Sequence, residues 1–288
     1  MSYVEYRARP ELSRPVVVCA FAGWNDGGEG ATAAVRELRD QWGARRFASV
    51  DPEEFYDFQV HRPTVHLLDG ETRRIDWPAN DFWWARVGSR DVVLFLGVEP
   101  NVRWRTYCEQ ILRVCSDVQA SVLVTLGAFL ADVPHTISSP VSAASADPSW
   151  ADRPGVVAAS YEGPTGIVGV LNDLATKAGL PAVSLWAASP HYLPQTSNPK
   201  VSVALLERLR DLLELEIDAK EVKRAARTWE HEVSEAIDED GNLGDYVRRL
   251  EEAAAEGAVG DPSEVPSGDD LAAELERYLR EHGGSEGE

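Results

Sequence analysis

The chain has 288 residues, and 44% of them are hydrophobic, which suffices for a large buried core. Its formal net charge of −20 argues against a nucleic-acid partner, because affinity for a phosphate backbone comes mostly from lysine and arginine. The first residues lack the basic start and apolar run of a signal peptide. No later stretch approaches a membrane span, which requires about 18 consecutive apolar residues. We therefore expect a globular protein of the cytoplasm that contacts no membrane.

The three cysteines form no CxxC pair. Cys108 and Cys115 fall on one face of a predicted helix, and Cys19 lies in a predicted strand. This pattern is typical of small buried hydrophobes in a reducing compartment and predicts neither a disulfide nor a metal site.

The acidic charge is concentrated at the C-terminal end. Residues 231–288 contain 18 acidic residues and four arginines, so they carry −14 of the total charge. An acidic segment of this kind either keeps a protein in solution or docks on a basic partner. The sequence leaves both alternatives open.

Strands and helices alternate from the start of the chain. Residues 15–23, PVVVCAFAG, form a continuous apolar run that predicts a strand covered on both faces. Apolar residues then recur at helical spacing from Ala31 to Trp42, and 45–51, RRFASVD, predicts a second strand. Together these segments predict a βαβ unit.

A predicted hairpin interrupts this alternation. TVHLL and ETRRIDW flank Asp69-Gly70, a pair that favours a tight turn between two strands. The surrounding segment is unusually aromatic and has few basic residues, so it indicates a subunit interface or a satellite core rather than a base-stacking platform. The aromatic residues are Phe55, Tyr56, Phe58, Trp77, Phe82, Trp83 and Trp84.

Further strands are predicted at 91–97, 121–127 and 182–189, with a weaker one at 156–160, and apolar helical stripes lie between and after them. From Asp218 onward the periodicity is helical only. We therefore predict an α/β core domain at 1–217, a helical C-terminal extension at 218–256, and an acidic linker with a terminal amphipathic helix at 257–288. The predicted fold is a central, mostly parallel mixed sheet flanked by helices.

Ligands of open parallel sheets bind beyond the carboxyl ends of the strands, so the polar residues of those loops are the candidate site. The loop at 23–31 is rich in glycine but lacks a phosphate-binding fingerprint, and its acids favour a capping role. No complete catalytic, metal or cofactor motif occurs. The ligand-binding candidates are Asn25, Asp26, Glu99, Arg103, Arg105, His135, Glu162, Thr165 and His191.

Each candidate also has a structural interpretation. Arg103 and Arg105 could bind a carboxylate or phosphate, or pair with acids nearby. His135 and His191 each follow a proline closely, and a histidine of this kind commonly anchors a loop through hydrogen bonds.

Three segments in this order, FAGWNDGGEGA, TLGAFLADVPHT and YEGPTGIVGVLNDLATKAGLPAVSLWAASPHYLPQTSNPK, resemble the proteasome assembly chaperone 2 family. The resemblance spans about residues 16–215 and is strongest to the actinobacterial branch of unknown function, which carries a similar acidic helical extension. It implies a fold similar to purine nucleoside phosphorylases and assembly into homo-oligomers, with a trimer as one arrangement.

Relatives of that family help to build or bind the proteasome core particle, some through a C-terminal hydrophobic-Tyr-X tail. The chain ends in GSEGE instead, so we expect no insertion into proteasome pockets by such a tail. The resemblance implies no cofactor and no catalytic residue. The leading hypothesis is a non-catalytic, homo-oligomeric binding or chaperone protein. The alternative is an enzyme or sensor that binds a small anionic or nucleoside-like ligand at the strand-end loops.

Overall fold

The computed structural model describes residues 2–68, 70, 72–194, 196–238 and 241–256. Within these residues the strands, in chain order, are β1 (Val4–Tyr6), β2 (Val16–Ala22), β3 (Arg45–Val50), β4 (Thr64–Leu68), β5 (Thr72–Asp76), β6 (Asp81–Val87), β7 (Arg90–Val98), β8 (Val122–Ala131), β9 (Val141–Ser145), β10 (Val157–Ala158) and β11 (Ala182–Pro190). The helices are α1 (Gly30–Gln41), α2 (Trp104–Asp117), α3 (Pro148–Ala151), α4 (Ile167–Lys177), α5 (Pro199–Leu213), α6 (Lys220–Asp238) and α7 (Gly241–Ala255).

Nine strands form one mixed sheet in the order β1-β3-β6-β7-β2-β8-β11-β9-β10. The central strands β7, β2, β8 and β11 pair in parallel, as expected for the apolar runs that the sequence shows there. The predicted mixed sheet flanked by helices is confirmed. Among the described residues, parallel pairing is limited to this centre and to β9 with β10. On one side of the centre β1, β3 and β6 pair antiparallel, and on the other side β9 pairs antiparallel with β11.

The predicted βαβ unit has both of its strands, but they are not neighbours. β3 runs in the same direction as β2, and β6 and β7 lie between them. β1, β6 and β9 were missed in the sequence analysis. β9 is made of small residues, VSAAS, and gains its strand conformation by pairing with β11 rather than from a strong local preference.

The core has two layers because alternate residues of the central strands face opposite sides of the sheet. Val18 and Ala20 of β2 pack with α1 and α5 in one layer. Cys19 and Phe21 pack with α2 and α4 in the other. All three cysteines are buried free thiols, as predicted, and burial raises the pKa of Cys108 and of Cys115 to about 12.

The predicted hairpin is confirmed as a separate two-stranded sheet of β4 and β5. Gly70 has a φ of 77°, while Asp69 and Glu71 lie outside the described residues. The aromatic residues of this segment divide between two environments. Phe55, Tyr56 and Phe82 are buried in the main core, whereas Trp77 is exposed and packs edge-on against Phe58 at 4.8 Å between ring centroids.

Helices α6 and α7 follow the sheet, as the periodicity predicts, and α6 packs along α5. The predicted linker and terminal helix at 257–288 lie outside the described residues. Of the helices in the described part of the chain, none combines the length and hydropathy that a membrane span requires.

Close contact between α1 and α5 requires glycine at position 30. A Cβ atom built on Gly30 would lie 2.2 Å from Cγ1 of Val201. We predict that Gly30→Ala lowers the free energy of unfolding by about 1–3 kcal/mol, because the two helices must separate or Val201 must leave its rotamer. Urea denaturation measures the change.

Gly241→Ala is the matched control, because its Cβ would meet no described atom within 4 Å. Its stability should be unchanged or slightly increased. Adding Val201→Ala should reduce the loss caused by Gly30→Ala. An equal loss in both backgrounds would contradict the steric explanation.

Candidate functional site

The glycine-rich loop after β2 is packed against its own protein. A Cβ on Gly27 would lie 3.3 Å from the carbonyl carbon of Phe129, and one on Gly28 would lie 3.0 Å from the side chains of Asn198 and Ser189. Gly28 also has a φ of 67°, which disfavours any side chain. The glycines therefore serve close packing against β8, the end of β11 and the segment before α5.

Asp26 caps α1 from inside this loop. Its carboxylate accepts hydrogen bonds from the backbone N–H groups of Ala31 at 2.6 Å and Thr32 at 3.1 Å, and from the hydroxyl of Thr32 at 2.5 Å. Burial raises the pKa of Asp26, and these hydrogen bonds oppose that shift. The capping role that the sequence suggested for this loop is performed by Asp26.

Asn25 and Glu99 form a second cluster, between the ends of β2 and β7. One oxygen of Glu99 accepts hydrogen bonds from the side-chain amide of Asn25 at 2.8 Å and from the backbone N–H of Ile167 at 2.9 Å. Glu99 thereby takes the position at the N-terminus of α4 that an anionic ligand would otherwise occupy.

Asn25 is only 1% exposed, and its side-chain oxygen has no hydrogen-bond partner among the described residues. This oxygen lies against Gly166, where a Cβ would be 2.2 Å away. Asn25 therefore faces backbone rather than an open pocket.

The other candidates near this cluster do not join it. Arg103 pairs with Glu54, donates to the hydroxyl of Tyr3 at 3.1 Å, and stacks over the Tyr3 ring. Arg105 is exposed on the first turn of α2. Arg103 therefore pairs with an acid of the protein, which is one of the two alternatives that the sequence left open.

Glu162 and Thr165 are exposed in the loop before α4. The structure gives neither of them a contact with Asn25 or Glu99.

His135 is buried in a third cluster, at the junction with α6. Its backbone N–H donates to the hydroxyl of Tyr192 at 2.7 Å, and that hydroxyl lies 2.9 Å from Nδ1 of His135, to which we assign its proton. Nε2–H then donates to Ser234 at 3.0 Å, and Ser234 donates to the carbonyl of Glu230 at 2.8 Å. This chain of hydrogen bonds is complete only when the imidazole is neutral.

Polar contacts beside His135 hold the helical extension on the core. Lys200 donates to the carbonyl of His135 and pairs with Glu230 of α6, both at 2.5 Å. Thr136 donates to Glu251 of α7 at 2.6 Å. The anchoring interpretation of His135 is therefore the one that its contacts support.

His191 lies in the same region but is partly exposed. Its Nδ1 is 2.9 Å from a carboxylate oxygen of Asp132, and its ring packs edge-on against Tyr192 and Tyr246. Tyr246 of α7 also donates to Asp132, at 3.2 Å. Five candidates thus lie in two groups: Asn25, Asp26 and Glu99 follow β2 and β7, and His135 and His191 follow β8 and β11.

A cleft of about 100 Å³ lies between the His135 loop and the extension. Drug-sized ligands typically occupy pockets of about 300–1,000 Å³, so this cleft is too small for a nucleoside. Within the described part of the chain, no three His, Cys, Asp or Glu side chains converge in a way that could hold a metal ion.

The carboxyl edge of the sheet instead presents apolar side chains to solvent. Trp24, after β2, is 64% exposed, and Val102 after β7 and Leu130 at the end of β8 are also exposed. We name these three residues the apolar edge. The polar residues on which the sequence prediction rests give no signal for these side chains. A tryptophan between Gly23 and Asn25 in a tight turn was the available signal.

The comparisons with known proteins identify the family. The model of the PAC2 family matches residues 20–237. The chain belongs to the PAC2 family. A PAC2 family protein from Streptomyces avermitilis is 46% identical and has a TM-score of 0.76, covering 81% of this chain and 99% of its own. The predicted resemblance to the actinobacterial branch is confirmed.

A proteasome-assembly chaperone homologue from Mycobacterium tuberculosis is 45% identical to this PAC2 chain, with a TM-score of 0.73 and the same shares of both chains covered. An archaeal proteasome activator from Pyrococcus furiosus is 17% identical and has a TM-score of 0.65, covering 81% of this chain and 97% of its own, which shows a shared fold. No curated protein sequence matches the chain.

The buried His135 predicts a pH-dependent stability. Burial, and then the charge of Lys200, lower its pKa from the ordinary value of 6.5, while Glu230, Glu251 and Asp238 oppose the shift. Below pH 6.5 the unfolded chain therefore binds a proton that the folded chain resists, so stability falls as the pH falls through this range. The wild-type protein should lose more stability than His135→Gln between pH 7.5 and pH 5.5.

Chemical denaturation at each pH measures this difference. Comparing the two proteins cancels the contribution of the ionisable groups that both contain to the pH dependence of stability. His231→Gln, on the exposed face of α6, should track the wild type. Parallel pH profiles for wild type and His135→Gln would contradict the assignment of a neutral imidazole.

Proposed function

We propose that this PAC2 protein is a non-catalytic chaperone or binding protein whose partner is another protein, and that the partner docks on the apolar edge. The observation that carries the proposal is the exposure of Trp24, Val102 and Leu130 where the central strands end. The centres of protein interfaces are enriched in aromatic side chains and poor in charge. Exposed apolar side chains beside buried polar groups that mostly bind one another fit a protein surface better than a small-ligand pocket.

The names of the relatives support the same class of function. The relative from Mycobacterium tuberculosis is described as a proteasome-assembly chaperone homologue, and the archaeal protein as a proteasome activator. By analogy we propose that the chain forms homo-oligomers and assists a protein assembly in the cytoplasm. The three buried free thiols fit a reducing compartment.

The small-ligand alternative is not favoured. The polar candidates Asn25 and Glu99 bind each other and α4, Arg103 binds Glu54, and His135 binds Tyr192 and Ser234. In the proposed organisation, residues 1–217 form the binding body. Residues 218–256 brace the strand-end loops from outside through the contacts at His135 and Thr136.

The first test changes the apolar edge. We predict that Trp24→Ser combined with Leu130→Ser weakens binding of the protein partner about thirtyfold, since loss of an interface hot spot typically costs about 2 kcal/mol. Both side chains are exposed, so the melting temperature should stay close to that of the wild type. The measurement is quantitative mass spectrometry of proteins retained by the tagged chain from a lysate of its own organism.

Val157→Ser is the matched control, because Val157 is similarly exposed but lies on β10 at the far side of the sheet. It should retain the same proteins as the wild type. Retention of the same proteins by the edge variant, or a discrete metabolite that co-purifies in place of any protein, would argue against the proposal.

The acidic C-terminal end provides a second test. If the apolar edge carries binding, deletion of residues 257–288, which hold nine acidic residues and two arginines, should leave partner retention unchanged. Solubility should fall with the loss of negative charge. Loss of the partner on this deletion would instead assign docking to the acidic end.

A further inference from the structure

His135 lies where the core meets the helical extension. It is 3% exposed, and it lines the cleft of about 100 Å³ between the loop after β8 and helices α6 and α7. The charged side chains of Asp238, Arg248 and Glu251 line the same cleft. A cleft of this volume has room for about three water molecules. A proton can therefore reach a histidine that is otherwise enclosed by protein.

The hydrogen bonds around the ring fit a neutral imidazole. Nδ1 is assigned the proton of the Tyr192 hydroxyl, and Nε2–H donates to Ser234 of α6. Burial raises the pKa of Tyr192 to about 12, so its hydroxyl keeps that proton near neutral pH. A second proton on the ring would place two donors face to face, Nδ1–H and the Tyr192 hydroxyl. One of these hydrogen bonds would have to break.

Charged groups face His135 from each helix that packs against it. Lys200 of α5 donates to the carbonyl of His135 at 2.5 Å and opposes a positive ring. Glu230 and Asp238 of α6 and Glu251 of α7 favour one. Burial and then Lys200 outweigh these acids, so the pKa of His135 lies below its ordinary value of 6.5. The docked extension therefore resists a proton that a hydrated imidazole would accept.

Helix α7 is attached to the core by few contacts. Of its fifteen residues, all of which the structure describes, only Val247 is buried. Its polar contacts with the strand-end loops include Glu251 with Thr136, at 2.6 Å, and Tyr246 with Asp132, at 3.2 Å. Glycine, a poor helix former, occupies positions 241 and 244 in its first turn. A segment with so few apolar contacts opens at a lower free-energy cost than the sheet unfolds.

We propose that His135 is a pH-sensitive switch that controls the docking of helix α7. While the ring is neutral, α7 stays on the loop after β8 and closes the cleft. When the ring takes up a proton, α7 moves away and water enters to hydrate the charged imidazole. Linkage requires both directions, so acid releases α7 and release of α7 raises the proton affinity of His135. The switch lies in the extension and does not depend on a partner at the apolar edge.

Hydrogen exchange followed by mass spectrometry tests the switch. Between pH 7.5 and pH 5.5, α7 should lose about fivefold or more of its protection in the wild type, since allosteric couplings are typically at least this large. His135→Gln should keep its α7 protection, because glutamine stays neutral in this range. Each exchange rate is divided by the intrinsic rate at the same pH, so the intrinsic pH dependence of exchange cancels.

His191→Gln is the matched control. His191 is a second histidine beside α7, where its ring packs against Tyr246. If His135 is the switch, this variant should lose α7 protection on acidification as the wild type does. Retention of protection in His191→Gln would assign the switch to the wrong histidine and overturn the proposal.

A second variant tests the switch without changing His135. Glu251→Gln keeps an acceptor for Thr136 and removes a negative charge that favours the charged ring. The loss of α7 protection should therefore have its midpoint at a lower pH than in the wild type. A profile that does not change with pH would assign the release to Glu251 itself. An unchanged or higher midpoint would contradict control by the charge of His135.

Equal pH profiles of α7 in the wild type and in His135→Gln would also overturn the switch. So would an equal loss of protection in α7 and β8 of the wild type, because acid would then destabilise the whole fold rather than release one helix. That last result would leave the predicted pH dependence of global stability intact.

Discussion

The geometry of the strand-end edge depends on Asp26 and the glycines around it. The carboxylate of Asp26 accepts hydrogen bonds from the first turn of α1. The backbone of Asp26 also forms a parallel bridge with Ala128, which continues the pairing of β2 with β8. Gly30 then lets α1 approach α5 closely, and Ser202 donates to its carbonyl at 2.8 Å. A buried carboxylate is costly unless it is hydrogen-bonded, so this loop has little freedom to rearrange. The glycines of this loop allow β8, β11 and α5 to pack closely against it, and this packing holds the edge in place.

This packing determines which side chains remain available to a partner. Once Glu99 occupies the N-terminus of α4 and Asp26 that of α1, both helix dipoles are satisfied by the protein's own acids. These two helix N-termini are therefore closed to an anionic ligand. Trp24 and Leu130, which have no place in either core layer, are left outside. The side chains that remain exposed at this edge of the sheet therefore include large apolar ones.

The sequence predicted the central strands, the hairpin and the family because those features depend on local patterns: unbroken apolar runs, an Asp-Gly turn and ordered loop motifs. It did not predict β6 and β9, whose conformation comes from their neighbours. The two strands of the predicted βαβ unit, β2 and β3, have two further strands between them. The sequence also does not show that the candidate site residues lie in separate clusters. Whether Glu99 binds a ligand or Asn25 is decided by a distance between loops 74 residues apart, which no spacing in the sequence encodes.

Because sequence spacing does not show which polar residues the fold uses, exposed apolar residues are the better evidence of function in this protein. A polar residue in a loop has many structural uses, and here Asp26, Glu99, Arg103 and His135 are all engaged by the fold itself. An exposed tryptophan has few, because leaving its ring in water gains nothing for a monomer. The apolar edge lies on a chain with a net charge of −20, which opposes association with further copies and with other acidic proteins. A neutral or basic partner that matches the shape of the apolar edge meets no such repulsion.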